Sequence, residues 1–379
     1  MERKFYSDLT DSSLAGEIFS DELCLQILQD KMIDIFPLLN AAYDVRKARW
    51  GKEVSIHIIN NGQNGFCPED CHYCAQAKSS KADIEEYPLK SDEEFLAEAK
   101  NAYEKGAHRY CMVFAGRGPS KGRVERLANL IRKIKAAYPV EVCVSAGLLD
   151  DEKAMTLKAA GLDQLNHNLN TSERNYPNIC TTHTFQDRLN TMKAAHKAGI
   201  HLCSGLIVGM KDTDADIISV AKQLREMDVE SIPVNFLIPI PGTLMNEDPG
   251  LTPEYCLRVL CLYRLLNPKA EVRVAAGREL HLRSLEVLAL YPANSLFLDG
   301  YLNTMGADRL KTLQMIQDAG FHIKSEIDLD DIIANDRKEA QGKKPFPRPS
   351  EAAAVMMKTL KDLRPNRQPA HPTGCSPCG

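Results

Sequence analysis

The chain has 379 residues, a hydrophobic fraction of 44% and a formal net charge of -4 at pH 7. That length buries a full core without staples, and a mildly acidic chain offers no basic surface to nucleic acid or anionic lipid. No stretch reaches the ~20 apolar residues that span a bilayer, and Met1–Asp8 carries no apolar run of the secretory kind, so the sequence reads as a cytoplasmic protein without membrane or nucleic-acid partners.

Residues 1–50 read as a helical segment, with Leu25, Leu28, Met32 and Ile35 spaced three and four apart on one helix face. Residues 51–325 alternate short β-rich runs with amphipathic helical stretches. The runs are Val54–Asn60, Arg109–Ala115, Val140–Ala146, Asp163–Asn170, His201–Val208, Ser231–Ile238, Glu271–Ala276 and Asn294–Leu298. Punctuation supports the rhythm: Ser91 with Glu94 makes a capping box, Thr252 precedes Pro253 at a helix start, and Gly199 and Gly320 stand where helices stop. Eight β–α units predict an α/β fold, a closed (β/α)8 TIM-type barrel, with a doubly wound open sheet as the alternative. Residues 326–379 form a proline-rich C-terminal extension around one short helix starting near Ser350, ending in an isolated Cys375-x-x-Cys378.

Twelve cysteines are the unusual feature, because clustered thiols in a reducing compartment serve metals or chemistry rather than disulfides. Cys67, Cys71 and Cys74 follow the first β run as C-x3-C-x2-C, with Tyr73 before the last thiol. Three thiolates on one loop hold three irons of a four-iron cubane and leave the fourth open to a substrate, whereas a fully ligated cluster suits electron transfer. A structural zinc site would need a fourth ligand, from His72 or the terminal pair, and its usual two spaced pairs are absent here. Cys111, Cys143 and Cys203 sit singly on the second, third and fifth runs. A lone strand cysteine is ordinarily filler, but inward positions of a barrel can bring three thiols to one point, with Arg273 of the seventh run beside them.

The run "NGFCPEDCHYCAQ" resembles the radical S-adenosylmethionine (SAM) superfamily signature in the form found in the biotin synthase family. The segments "RYCM", "VEVCVSAG", "CSGLIVG" and "VRVAAGRE" match that family around Cys111, Cys143, Cys203 and Arg273. The resemblance implies a SAM-cleaving [4Fe-4S] cluster on Cys67, Cys71 and Cys74. It also implies an auxiliary iron–sulfur cluster, [2Fe-2S] or larger, on Cys111, Cys143, Cys203 and Arg273. It assigns Arg188 to the SAM carboxylate, Asn168 to the SAM ribose and the substrate's ureido ring, and Asn235 to the ureido group, with Tyr73 lying over the cluster or SAM. The activity it implies is sulfur insertion into dethiobiotin to form biotin, by a homodimer served by a low-potential electron donor of the flavodoxin or ferredoxin type.

Three departures qualify that picture. Asn170 stands where the family has an aspartate at the ribose, and "GMKD" replaces "GLGE", leaving Asp212 to do the glutamate's local work. Cys375 and Cys378 are candidate auxiliary-cluster ligands or sulfur-handling thiols on a tail folded over the barrel mouth, and Cys180 is a weaker extra candidate near that mouth. Cys24, Cys256 and Cys261 read as helix-packing residues. Two other functions compete: a related radical SAM enzyme such as a hydrogenase-cofactor maturase, and a non-enzymatic iron–sulfur scaffold or zinc-binding module that would bind no SAM.

Overall fold

Apolar runs buried on both faces become parallel strands, and the amphipathic stretches between them become covering helices. In the computed structural model, which describes residues 3–340 and 355–367, the strands are β1 (Glu53–Gln63), β2 (Arg109–Phe114), β3 (Glu141–Ser145), β4 (Gln164–Asn166), β5 (His201–Cys203), β6 (Leu206–Val208), β7 (Ser231–Phe236), β8 (Glu271–Val274), β9 (Ser295–Leu298) and β10 (His322–Ile323). All pair in parallel in the order β1-β2-β3-β4-β5-β7-β8-β9, with β6 also on β7. β9 returns to β1 from Ser55↔Ser295 to Ile58↔Leu298, which closes the barrel and rules out the open sheet. β10 merely extends the start of β1, at Glu53↔His322.

Two predicted strands are shorter or broken, and one physical cause serves for both. β5 and β6 keep a single register on β7, Cys203↔Ser231 and Leu206↔Val234, but the ladder lapses between them opposite Pro233, which has no N–H to donate. Gly205 fills the gap so closely that a Cβ there would stand 1.9 Å from the Pro233 carbonyl oxygen. β4 ends early at Asn166, and its continuation folds over the gap: Asn170 donates its N–H to the Gly205 carbonyl (2.9 Å) and accepts from Ile207 N–H (2.8 Å). Asn170 holds φ 69, a left-handed conformation that asparagine and aspartate tolerate better than most side chains.

The N-terminal segment is three helices, α1 (Arg3–Ala15), α2 (Asp21–Gln29) and α3 (Ile35–Trp50); α1 packs on α3, and all three pack on the helix Pro253–Leu266. The single face expected for Leu25, Leu28, Met32 and Ile35 is therefore corrected. α2 ends at Gln29, the Asp30 side chain accepts the Met32 N–H (2.8 Å), and Met32 points into solvent. Arg46 of α3 donates to the carbonyls of Ala293 (3.0 Å) and Glu53 (2.7 Å), fastening the segment to the barrel's N-terminal rim. Arg264 does the same at Pro292 (2.8 Å) and Ala270 (2.7 Å), its guanidinium 4.4 Å from the Trp50 ring centroid.

The expected caps form at Ser91–Glu94 and at Thr252, and Gly199 (φ 74) and Gly320 (φ 71) end their helices. Residues 355–367 strap the loop after β9: Lys358 donates its N–H to Asn303 (2.8 Å), Met305 to Met356 (2.9 Å), and Arg364 pairs with Glu94 (2.6 Å). The helix start expected near Ser350, and both Cys375 and Cys378, lie outside the described residues. No described helix is long and apolar enough to cross a membrane.

Gly205→Ala should destabilise the protein by about 3 kcal/mol or more, because the clash is with backbone that cannot yield. A thermal midpoint unchanged from the parent would contradict this account of the strand break.

Candidate functional site

Alternate strand residues point into the barrel, and residues in register share a layer. The lowest layer is ionic. One oxygen of Glu271 accepts from Arg273 Nη2 (2.6 Å), Ser231 Oγ (2.9 Å), Ser295 Oγ (3.1 Å) and Arg109 Nη1 (3.2 Å). Arg109 also donates to Glu141 (2.8 Å), and the His57 ring lies against both arginines. Burial, reinforced by Arg273, holds His57 well below its ordinary pKa. Burial works against the Glu271 carboxylate, yet Arg109, His57 and Arg273 together hold it well below the usual range. Sequence reasoning missed this layer; two charges alternating along an apolar strand, Glu271 and Arg273, were the available signal.

Above it the three strand cysteines meet. Cys111 and Cys143 face each other in register across β2 and β3, and Cys203 joins them in a buried cluster with Phe297 and Tyr301. Arg273 Nη1 stands 3.6 Å from Cys203 Sγ and Asn166 Nδ2 3.3 Å from it. A hydrogen bond from Cys143 holds the Cys203 thiol well below its ordinary value against burial, with Arg273 assisting. Arg273 Nε is buried with no partner among the described residues. Three thiols beside an unspent guanidinium donor form a set suited to an anionic iron–sulfur group.

Cys67, Cys71 and Cys74 line the same cavity, which has a volume of about 370 Å³ and is lined by both cysteine sets. Their loop is clasped by the segment after β4. His72 donates its N–H to Ile179 (2.9 Å), and Asp70 accepts from the N–H groups of Thr181 (2.9 Å) and Thr182 (3.2 Å). Tyr73 accepts a hydrogen bond from Asn170 Nδ2 (2.7 Å), which puts both residues at the cavity wall. Arg188 donates to the Asn168 carbonyl (2.8 Å), to His183 Nε2 (2.9 Å) and to the Tyr176 hydroxyl. Those bonds use three of its five N–H groups and leave one on each terminal nitrogen.

Asn168 spends its carbonyl on Gly205 N–H (3.1 Å) and Asn166 Nδ2 (3.2 Å), leaving its NH2 to the cavity. Asn235 carries a structural duty the sequence did not suggest. Its Nδ2 donates to the Leu206 carbonyl (2.9 Å) and its Oδ1 accepts from Ala276 N–H (3.2 Å), stapling strand ends around the rim. One N–H and one lone pair remain free to meet a ligand.

The structure moves Cys180. It lies not with the strand cysteines but beside the loop, its sulfur 3.8 Å from Cys71 Sγ. Cys24, Cys256 and Cys261 are buried among helices as expected, and burial pushes the first two thiols up to about 11 and about 12. Asp212 caps its own turn, accepting from the N–H groups of Met210 (2.8 Å) and Gly209 (3.3 Å).

Residues 64–224 match the radical SAM superfamily, and residues 233–322 match the biotin and thiamin synthesis associated domain. Biotin synthase from Acaryochloris marina is 55% identical over 316 residues, 83% of this chain and 91% of that protein. Those from Magnetococcus marinus (83% and 98% covered) and Bacillus subtilis strain 168 (84% and 96%) are 52% and 44% identical. The chain belongs to the biotin synthase family. Among solved structures, methylornithine synthase superposes with a TM-score of 0.72 at 19% identity, covering 86% of this chain and 99% of that one. The hydrogenase maturase HydG from Carboxydothermus hydrogenoformans gives 0.71, also at 19% identity, covering 84% and 79%. Both similarities establish the fold and nothing more specific.

Because Asn235 serves two backbone partners, Asn235→Ala should lower the stability of the ligand-free protein by about 2 kcal/mol. Unaltered thermal unfolding of that variant would show that the staple contributes nothing.

Proposed function

We infer that this chain is a radical SAM sulfurtransferase that inserts sulfur into dethiobiotin to form biotin. The observation that carries the reading is one cavity lined both by the three-cysteine loop and by three strand cysteines with Arg273, in a chain of this family. When bound, a [4Fe-4S] cluster on Cys67, Cys71 and Cys74 supplies the electron that cleaves SAM, and an auxiliary cluster, [2Fe-2S] or larger, on Cys111, Cys143, Cys203 and Arg273 supplies sulfur.

The chain's own residues bind and orient. The two unspent N–H groups of Arg188 suit the SAM carboxylate, a planar pairing that lysine cannot copy. Asn170 and the free NH2 of Asn168 suit the ribose, and Asn168 with the remaining amide valences of Asn235 suits the ureido ring. Asn170 retains the left-handed backbone and an acceptor but not the aspartate's charge. Ile59, Ile207 and Ile238 line the cavity and exclude water from it.

We read residues 51–325 as the catalytic barrel, 1–50 as the helical closure of its N-terminal rim, and 326–379 as an extension. Residue 367 is the last one described before the terminal pair, and the eight residues from there to Cys375 span at most about 28 Å. The strap docks on the loop that carries Asn303 and Thr304 into the cavity wall. Cys375 and Cys378 lie outside the described residues, and we propose them as sulfur-handling thiols or auxiliary ligands within that reach of the strap. We further propose a cytoplasmic homodimer reduced by a flavodoxin- or ferredoxin-type donor.

Anaerobic incubation of the reconstituted chain with SAM, reductant and dethiobiotin should yield biotin and 5′-deoxyadenosine together. Deoxyadenosine without biotin would favour a maturase-like substrate, and absence of SAM binding would favour the scaffold. Cys111→Ala should keep SAM cleavage and lose biotin, while Cys71→Ala should lose both. Arg188→Lys should weaken SAM binding about tenfold, equivalent to ~1.4 kcal/mol, as measured by equilibrium binding.

A further inference from the structure

Cys180 and His183 have no part in the chemistry above, yet they stand against one of its ligands. The sulfurs of Cys71 and Cys180 are 3.8 Å apart, and Cys180 Sγ is 3.3 Å from His183 Nδ1. All three ligand atoms lie within 4.8 Å of one another, with Cys180 and His183 buried. A tetrahedral cation with metal–sulfur bonds near 2.3 Å and metal–nitrogen bonds near 2.0 Å separates its sulfurs by about 3.8 Å and its sulfur–nitrogen pairs by about 3.5 Å. The Cys71–Cys180 and Cys180–His183 spacings are thus those of ligands on one ion, and the third pair is within 4.8 Å. Sulfurs bound to two different irons of a cubane stand further apart, so this geometry does not make Cys180 a fourth ligand of the cluster.

The surroundings prepare the ring for an ion. Arg188 donates to His183 Nε2, which leaves the proton on Nδ1, where Glu69 accepts it. A cation takes the place of that proton and of the two thiol protons, and the Glu69 carboxylate remains as an anion beside it. Glu69 is itself steadied by Thr182 (2.7 Å) and Arg117 (3.4 Å).

We propose that the cluster-free chain binds one divalent thiophilic cation, such as ferrous iron or zinc, between Cys71, Cys180 and His183, with a fourth position open to water or Glu69. Two thiolates and an imidazole suit these ions better than magnesium or calcium. Cys71 cannot serve the ion and the cubane together, so the ion occupies the loop before cluster assembly and must leave, or be built upon, when the cubane forms. The site follows from donor geometry alone and stands whether or not dethiobiotin is the substrate.

The test is an anaerobic titration of the full-length, cluster-free chain with Co2+, read by sulfur-to-cobalt charge-transfer and ligand-field absorption. One equivalent of tetrahedral Co2+ should bind in a way that depends on Cys180. Cys180→Ala should weaken that equivalent by roughly a hundredfold, the share of one ligand in a four-ligand site. Cys67→Ala should leave it unchanged, and any second ion held by Cys111, Cys143 and Cys203 should respond to neither substitution. Pre-loading with Zn2+ should slow assembly of the loop cluster in the parent and not in Cys180→Ala, as followed by iron content. Tetrahedral Co2+ that survives Cys180→Ala but is lost in Cys67→Ala would put the ion on the cluster trio and overturn the proposal. Absence of any thiolate-bound Co2+ in the parent would also overturn it.

Discussion

A single carboxylate at the base of the barrel, Glu271, makes the chemistry above it possible. Arg273 and Arg109 are buried cations, and buried cations are sustained only by close anions and full hydrogen bonding. Glu271 meets both, with Ser231 and Ser295 completing its shell. The pairing holds the Arg273 guanidinium below the three strand cysteines, one nitrogen near Cys203 and Nε unspent. Barrel closure through β1 and β9 supplies the remaining walls of that layer, bringing His57 and Ser295 round to the same point.

How much of this is legible in a sequence depends on how local the cause is. The C-x3-C-x2-C loop is local, so its three thiols are evident from spacing alone, as are the Ser91 and Thr252 caps. Cys111, Cys143 and Cys203 are separated by whole β–α units. Their convergence becomes readable only once closure and strand alternation are assumed, and it was family resemblance that made Arg273 their partner. The break between β5 and β6 was invisible because its cause, Pro233, sits on a different strand and has no N–H to offer the strand facing it. The turn at Met32 was missed for the opposite reason: the helical spacing continues through Asp30, whose side chain turns the chain.

Cys180 shows where one-dimensional reading runs out. Its place on a loop after β4 suggested the barrel mouth, and the structure sets it against Cys71. Which cysteine set it adjoins, however, is decided by the clasp between Asp70 and Thr181–Thr182, a contact spanning more than a hundred residues of sequence. That clasp positions the cluster loop and brings Cys180 to Cys71, so one set of hydrogen bonds orders both features. Asn235 and Arg188 have a similar economy, holding backbone or neighbouring side chains with part of their hydrogen-bonding capacity and keeping the rest for a ligand.

We propose that two iron–sulfur groups, held by separate cysteine sets, share one cavity. Anomalous diffraction at the iron edge from anaerobic crystals of the reconstituted chain measures this most directly. Two resolved iron peaks are expected, one at Cys67, Cys71 and Cys74 and the other between Cys111, Cys143, Cys203 and Arg273. A single peak at the loop, with the strand cysteines in van der Waals contact and Arg273 Nε still unpartnered, would contradict it.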